Sequence, residues 1–563
     1  MTLEQPVAHV SHVASELAGP VAELSLLVDV GSAWTKAVVV ARARGRWRIA
    51  AHAAQPSAWG EEQLVTALVA RLSSGADRRV ADRLAELLGN APRIACHTPR
   101  RAGRIGLAAV SAELSGASAR RAAESAGWTV AEAATSDDGR PLAERLGALQ
   151  AADVDAWLLA GGFDDGRADQ ALEMAGLVAA ARGASRTPVL WAGSAGLADE
   201  VALLFEPGAV EAVANPRPTA GEEDPLPLRH ALEALLQQLV EPGGVRQLTP
   251  VSFRRAVAEL ARSTERRVLG VDLGARYASW VVADETGTAE SRVFAAGGLS
   301  AASLVGPGGP ARLAKLLPLA IDELAVADAL QNLRARPGTL PQTEDELAIM
   351  HAAAGQLLAQ GAADEGPISG IDLLIGSGRT LAAAPRPAQA AQLLLDGVRP
   401  LGVTELAVDT AGALSPLGAL DDAEIREGMG MLRDDLLTPL GAAVVCRGGR
   451  PGGMALHVTA HRAGWPTIGP VELRVGQLQI LPLGRGQSAE LEIELESGVT
   501  LGGPRGARRV QATVTGGSLG LILDARDVPL TLPRRADDRR AVLAGWRDAF
   551  AREPTTPAVG EQL

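Results

Sequence analysis

One pattern occurs twice in the chain, and a chain that repeats it has few ways to fold. Leu26-Leu-Val-Asp-Val-Gly-Ser-Ala-Trp-Thr-Lys-Ala-Val-Val-Val40 aligns without gaps on Leu269-Gly-Val-Asp-Leu-Gly-Ala-Arg-Tyr-Ala-Ser-Trp-Val-Val-Ala283, pairing Asp29 with Asp272 and Gly31 with Gly274. An apolar run, a tight turn at Asp-x-Gly and a second apolar run predict strand, turn, strand. Each copy continues into a third strand, at residues 47–52 and 291–295. A second pair of matching segments follows: Asp155-Ala-Trp-Leu-Leu-Ala-Gly-Gly162 and Asp372-Leu-Leu-Ile-Gly-Ser-Gly378 both read as a buried strand ending in a glycine turn. A repeat this long is a domain duplication rather than a solenoid. It predicts two similar α/β lobes.

The turn of the first copy carries one acid, two hydroxyls and a lysine. A turn of this kind points backbone N–H groups and short hydroxyls at one spot, which suits phosphate oxygens. Asp29 would face a metal ion and Lys36 would supply a point charge. The only lysines are Lys36 and Lys315 among 54 basic residues. In so arginine-rich a chain, a loop that needs a compact ammonium rather than a planar fork would resist the bias.

The 563 residues exceed one core and suggest three or four units of ordinary size. With 47% apolar and 21% charged residues the composition is that of a globular protein, and 3% aromatics leave its cores to Leu, Val and Ala. A net charge of −12 argues against a general nucleic-acid binder. Two distant cysteines, Cys96 and Cys446, suit a reducing cytoplasm, although one buried bridge stays open. No apolar run approaches the ~20 residues of a membrane span, and the N-terminus lacks the pattern of a signal peptide.

Read in order, the chain divides into a loose tail (1–23), a first lobe (24–215), a linker with helical segments (216–265), a second lobe (266–450), an all-β module (451–533) and a terminal helix and tail (534–563). Helical spacing is expected over 63–88 with a break at 73–75, and over 119–126, 170–181, 228–239, 252–262, 311–324, 343–360, 387–395 and 422–436. Residues 441–453 are glycine-rich and close the second lobe. After residue 454 short alternating strands are separated by Gly and Pro.

Two lobes that each open with an Asp-x-Gly hairpin resemble the actin, sugar-kinase and heat-shock-chaperone ATPase superfamily. Within it the order of segments is similar to the glutamate mutase L family, linked to reactivation of adenosylcobalamin-dependent mutases. The matching pieces are Asp29-Val-Gly-Ser-Ala-Trp-Thr-Lys36, Ala95-Cys-His-Thr98 through Gly106-Leu-Ala-Ala-Val110, Ser118 to Gly127, Leu158-Leu-Ala-Gly-Gly162, Pro188 to Gly193 with Asp199-Glu200, Asp272-Leu-Gly274, Ile375-Gly-Ser-Gly378, Asp409 and Ala413 to Leu420. The resemblance spans about residues 24–447. It implies two ribonuclease-H-like lobes around a nucleotide cleft, with the β module outside that core. It further implies that Asp29, Gly31, Ser32, Thr35 and Lys36 form a first phosphate loop. Asp272, Gly274 and Ala275 would form a second, and Gly376, Ser377 and Gly378 would abut the adenosine of ATP or ADP. Mg²⁺ would be held near Asp29 and Asp272 through phosphate oxygens and water. The implied role is a cytoplasmic reactivating chaperone whose partner is a cobalamin mutase subunit.

The chain also departs from that pattern. Ala33-Trp34 stands where the family has hydroxyls, and the second loop reads Gly274-Ala-Arg-Tyr-Ala-Ser279, without the family's threonine and acid. Binding could survive this loss while hydrolysis slows or stops, so a non-hydrolysing actin-like scaffold is the competing reading. Taken singly, Asp29 also reads as an ordinary turn acid, and Gly376 and Gly378 as structural turn glycines. Asp164 and Asp165 read as a solvated turn, and Asp409 as an acid closing a strand end. His457 and His461 lie in an extended stretch without a third ligand and read as surface or packing residues. The Asp-x-His-x-x-Gly pattern of many cobalamin domains is absent, so the chain is not expected to be a mutase itself.

Overall fold

The computed structural model describes residues 23–43, 46–74, 78–99, 101–164, 169–240, 247–295, 297–363, 368–432, 435–503 and 507–551. The N-terminal tail before residue 23, Asp165 and the tail after residue 551 therefore lie outside the described residues. The chain forms two compact units, one of residues 1–98, 249–291 and 296–563, the other of 99–248 with 292–295. Both hairpins belong to the first.

The first unit opens with strands β1 (Leu24–Val30), β2 (Trp34–Ala43) and β3 (Arg46–Pro56), helices α1 (Glu61–Leu72) and α2 (Arg78–Asn90), and strand β4 (Arg93–His97). The strands lie in the order β3-β2-β1-β4, with β1 antiparallel to β2 and parallel to β4. Side chains of a strand alternate between faces, and here both faces are covered. Leu26, Val28, Val39 and Ala41 pack on Leu64, Leu68 and Leu72 of α1 and Leu84 and Leu88 of α2. Leu27, Val38 and Val40 point the other way, into a second core. Burial on both faces is why the strands read as near-continuous apolar runs.

The second unit contains β5 (Gly103–Ala109), α3 (Ser115–Ser125), β6 (Trp128–Thr135), α4 (Leu142–Ala151), β7 (Ala156–Gly161), α5 (Asp169–Arg182), β8 (Val189–Gly193), β9 (Val210–Ala212) and α6 (Leu226–Val240). Its sheet is wholly parallel, in the doubly wound order β6-β5-β7-β8-β9. Aromatics are few but set its spacing: a Cβ on Gly103 would lie 2.6 Å from the Trp128 ring, and one on Gly106 2.4 Å from the Trp157 ring.

The first unit resumes with α7 (Thr249–Thr264), the second hairpin β10 (Val268–Leu273) and β11 (Ala278–Ala283), and β12 (Ala289–Phe294). Helices α8 (Glu323–Ala335) and α9 (Glu344–Ala363) lead to β13 (Leu373–Ser377), α10 (Pro387–Gly397), β14 (Gly402–Val408), α11 (Asp422–Leu432) and β15 (Thr438–Val445). The C-terminal region adds β16 (Met454–Arg462), β17 (Ile468–Arg474), β18 (Leu478–Leu481), β19 (Ser488–Leu495), β20 (Arg509–Thr515), β21 (Gly520–Asp524) and α12 (Ala536–Ala551). One eight-stranded sheet runs β12-β11-β10-β13-β14-β15-β21-β18, and a four-stranded sheet runs β17-β16-β19-β20. In both hairpin sheets an antiparallel trio is followed by a parallel strand on the other side of the first strand. This is the ribonuclease-H-like, actin-like arrangement that the resemblance implies. Helix α7 packs Phe253, Val257 and Leu260 into one core with Leu27 and Val38 of the first hairpin and Val281 of the second.

One expectation is corrected here. The helix expected over 311–324 is a single turn (Gly309–Ala314) and then α8, because Pro318 lacks an N–H and disfavours helical geometry before it. The glycine-rich closing stretch begins within β15. Gly441 (φ +141°) is required there, since a Cβ would lie 2.1 Å from the Gly520 carbonyl of β21. The sheet-rich C-terminal region is present, and two of its strands, β18 and β21, belong to the main sheet.

Candidate functional site

The two turns and the end of β13 come together around one lysine. Register places Asp29 opposite Lys36 on β2 and beside Cys96 on β4. Lys36 Nζ lies 2.7 Å from Asp29 Oδ2, with the lysine side chain 14% exposed and the aspartate 3%. The other oxygen, Asp29 Oδ1, accepts the Thr249 hydroxyl at 3.0 Å and the Cys96 thiol at 3.6 Å. Asp29 is thus held at every oxygen from three elements.

Two more acids face the same ammonium. Asp272 pairs in register with Ser279 and Ser377. Asp409, just past β14, accepts the backbone N–H groups of Gly412, Ala413 and Leu414 at 2.8, 2.9 and 3.1 Å and the Ser377 hydroxyl at 3.5 Å. Burial by itself would lower the Lys36 pKa, but Asp29, Asp272 and Asp409 outweigh it and raise it. Burial pushes Asp272 up to about 6; Asp29 and Asp409 add to this, while Lys36 and the Ser377 hydroxyl oppose it. Asp409 is also raised by burial, against the pull of its backbone donors and Lys36. Cys96 is pushed well above its ordinary value by burial and by Asp29, so it is a protonated thiol donor rather than a nucleophile.

The remaining sequence-nominated residues occupy the rim or the frame. In the first turn the Gly31 N–H donates to the Trp34 carbonyl, and a Cβ on Gly31 would meet that oxygen at 2.4 Å. The Thr35 hydroxyl donates to Ser57, whose own hydroxyl donates to the Gly31 carbonyl, so Thr35 braces the turn. Ser32 lies at the tip. In the second turn the Gly274 N–H donates to the Tyr277 carbonyl, and the Ala275 carbonyl accepts both the N–H and the hydroxyl of Ser300. Gly376 is packed against Leu381 and Leu394, and Gly378 (φ +92°) brings its Cα against the Leu273 carbonyl, where a Cβ would lie at 2.2 Å. Gly378 is therefore demanded by backbone contact, whereas at Gly376 a Cβ would meet only leucine methyl groups at 3.1 and 3.2 Å.

Several residues at this site had no local signature. Thr249 holds Asp29 across 220 positions of sequence. Gly412 (φ +73°) gives room to the lysine stem, since a Cβ there would lie 2.9 Å from Lys36 Cδ. The Trp34 ring is stacked by the Arg379 guanidinium at 4.7 Å. The remaining candidates have their own local contacts. Asp164 is an exposed loop acid whose Oδ1 accepts Ala195 N–H and Asn215 Nδ2. His457 and His461 sit on β16, four residues and thus about 13 Å apart, too far to share an ion. Among the described residues no three His, Cys, Asp or Glu side chains are placed to hold a metal ion, and no helix is long and apolar enough to cross a membrane.

Solved structures similar to the chain include component A of the (R)-2-hydroxyglutaryl-CoA dehydratase of Acidaminococcus fermentans, at 8% identity over 70% of this chain and 95% of that one, TM-score 0.26. A nucleotide-free acetone carboxylase matches at 11% identity over 81% of both chains, TM-score 0.30. The ethanolamine utilization protein EutJ of Carboxydothermus hydrogenoformans matches at 12% over 74% and 98%, TM-score 0.24. No curated protein matches the chain significantly. The MutL protein family model matches residues 25–436, from the first strand through both hairpins and the Asp409 turn. The chain belongs to the MutL (glutamate mutase L) family.

Proposed function

We propose that the protein binds ATP or ADP with Mg²⁺ between its two Asp-x-Gly turns and acts as a reactivating chaperone for an adenosylcobalamin-dependent mutase. The observation that carries the nucleotide reading is the convergence of Asp29, Asp272 and Asp409 on Lys36. One ammonium amid three carboxylates leaves a net negative pocket when all are ionised. Bare phosphate is repelled there, and a phosphate that brings a divalent cation is not. The donor set fits such a group. Lys36 would meet a phosphate oxygen, and the Ser32 hydroxyl and the turn amides of Ser32 and Ala33 would cradle it. Asp29 and Asp272 would accept from metal-bound water. The bound metal would neutralise phosphate charge.

Hydrolysis is the weaker half of the reading. The positions matching Thr35 and Lys36 are Ala278 and Ser279, both buried within β11. Both oxygens of Asp409 are taken by amides and Ser377, so Asp409 holds the 410–417 turn rather than orienting water. These two observations favour the second reading, an actin-like scaffold that binds nucleotide without turning it over. The partner rests on family membership. Calorimetric titration of the full chain with Mg·ATP and Mg·ADP tests the first step. Binding that is lost in Asp29→Asn supports it, and no binding at millimolar nucleotide sinks it. Release of cobalamin from an inactivated mutase on adding the chain and Mg·ATP tests the second step, and release without turnover would select the scaffold-like mechanism.

A further inference from the structure

A second polar cluster lies at the rim of the first unit and has the opposite charge. Arg379 follows Gly378, whose left-handed backbone turns the chain so that the guanidinium lies over the Trp34 ring. Stacking on an aromatic face satisfies the charge but none of the five N–H donors of a guanidinium. Arg379 Nε is buried without a hydrogen-bond partner. Arg71, at the end of α1, reaches over β3 and donates Nη1 to the His52 carbonyl. Burial and Arg71 together lower the Arg379 pKa, and burial, Arg71 and Arg379 lower that of His52. No carboxylate figures among these influences. Among the described residues neither Arg71 nor Arg379 forms an ion pair, whereas Arg182 and Arg526 do.

Trp34 and His52 lie on the paired strands β2 and β3, so Arg379 over the Trp34 ring and Arg71 on the His52 carbonyl bring two guanidiniums to one edge of the sheet. We propose that Arg71, Arg379 and His52, floored by the Trp34 ring, bind a phosphate-class oxyanion. Arg379 Nε gains the acceptor it lacks, and Arg71, which is exposed, admits the ligand from solvent. The site needs no metal, because its positive charge is supplied by the two arginines. That separates it from the Lys36 pocket, whose carboxylates require a cation to accompany phosphate. The oxyanion is either free or part of a nucleotide, since Arg379 directly follows Gly376-Ser377-Gly378.

The test is calorimetric titration of the full chain with inorganic pyrophosphate in excess EDTA. Saturable binding is expected, weakened at least tenfold in Arg71→Gln/Arg379→Gln, with circular dichroism confirming that the variant is folded. A quench of tryptophan emission should accompany binding and shrink in Trp34→Phe, which keeps an aromatic floor. No binding at about 10 mM pyrophosphate, or undiminished binding in the double variant, overturns the proposal. A parallel titration with ADP in EDTA identifies the source. Tenfold tighter, competitive ADP binding marks the oxyanion as a nucleotide's own phosphate, and equal affinity marks a free oxyanion. Mg·ATP binding in the absence of metal-free pyrophosphate binding would overturn this site and leave the nucleotide reading intact.

Discussion

Lys36 shows how one side chain can set the character of a pocket. Its ammonium is the counter-charge to the buried Asp29 and Asp409 and the half-buried Asp272, so Lys36→Met leaves the three carboxylates repelling one another. Breaking a buried pair from one side costs about 3–5 kcal/mol, and urea unfolding at pH 7.5 should register a loss of that order. Asp272 gives the pH dependence its sign. Its carboxyl titrates near 6 when folded and near the ordinary 3.8 when exposed to water in the unfolded chain. Between those values the folded chain keeps a proton that the unfolded chain has released. Raising the pH through this window therefore removes stability, by roughly 3 kcal/mol at most. Asp272→Asn should consequently melt higher than the parent at pH 7.5, with the gap narrowing as pH falls below 6 and closing near pH 3.8. A pH-independent difference in melting temperature would refute that assignment. The sequence exposed Asp29, Lys36 and Asp272 because they share a repeated local pattern. Thr249 and Gly412 were silent, since each matters only through a contact made across hundreds of positions.

At the scale of elements, close approach explains both what was legible and what was not. Helices α1 and α2 announce themselves by leucine spacing, and they, α5, α7 and α9 all lie within a few residues of expectation. The break before α8 was hidden by an apolar stretch that runs through Pro318. Strand β15 was hidden by glycines that look like a loop but serve backbone contact. The same logic separates two glycines near α11. A Cβ on Gly418 would lie 1.8 Å from the Ser252 carbonyl of α7, backbone against backbone, so neither side can yield. Gly418→Ala should destabilise by about 2 kcal/mol or more, because overpacking a contact between rigid elements displaces one of them. Gly430, within α11, has nothing within 4 Å of the same position and lies exposed. Gly430→Ala should stabilise by roughly 0.5–1 kcal/mol through helix propensity. Urea midpoints of the two variants should move in opposite directions. Shifts of the same sign would mean that this contact does not govern the stability of the unit.

At the scale of the whole molecule, the C-terminal region is where sequence texture and structural role part company. Its strands look like a module because they are short, alternating and punctuated by Gly and Pro, and the family match ends before them at residue 436. Yet β21 pairs in parallel with β15, and β18 closes the sheet beyond it. Ala442, Val444 and Cys446 share one core with Leu456, Leu491, Leu521 and Leu523. Parallel pairing to a strand about 80 residues later leaves no periodic signal, so only the three-dimensional register reveals it. A further tie is buried charge: Arg526, just past β21, bridges Asp524 at 2.7 Å and Asp396 of α10 at 2.6 Å, beneath Trp546 and Phe550 of α12. A chain cut at residue 450 would thus expose an edge strand in place of a central one, with the inner face of β15 uncovered and Asp396 stripped of its arginine. An unpaired hydrophobic edge is a template for aggregation. The truncated chain should be recovered mainly as aggregate, or bind a hydrophobic dye and lose its cooperative melt, whereas removal of an independent module would leave both unchanged. A soluble 1–450 chain whose melting temperature falls within about 1 °C of the full chain's, a shift worth ~1 kcal/mol for a chain of this length, would show that β15 does not depend on β21.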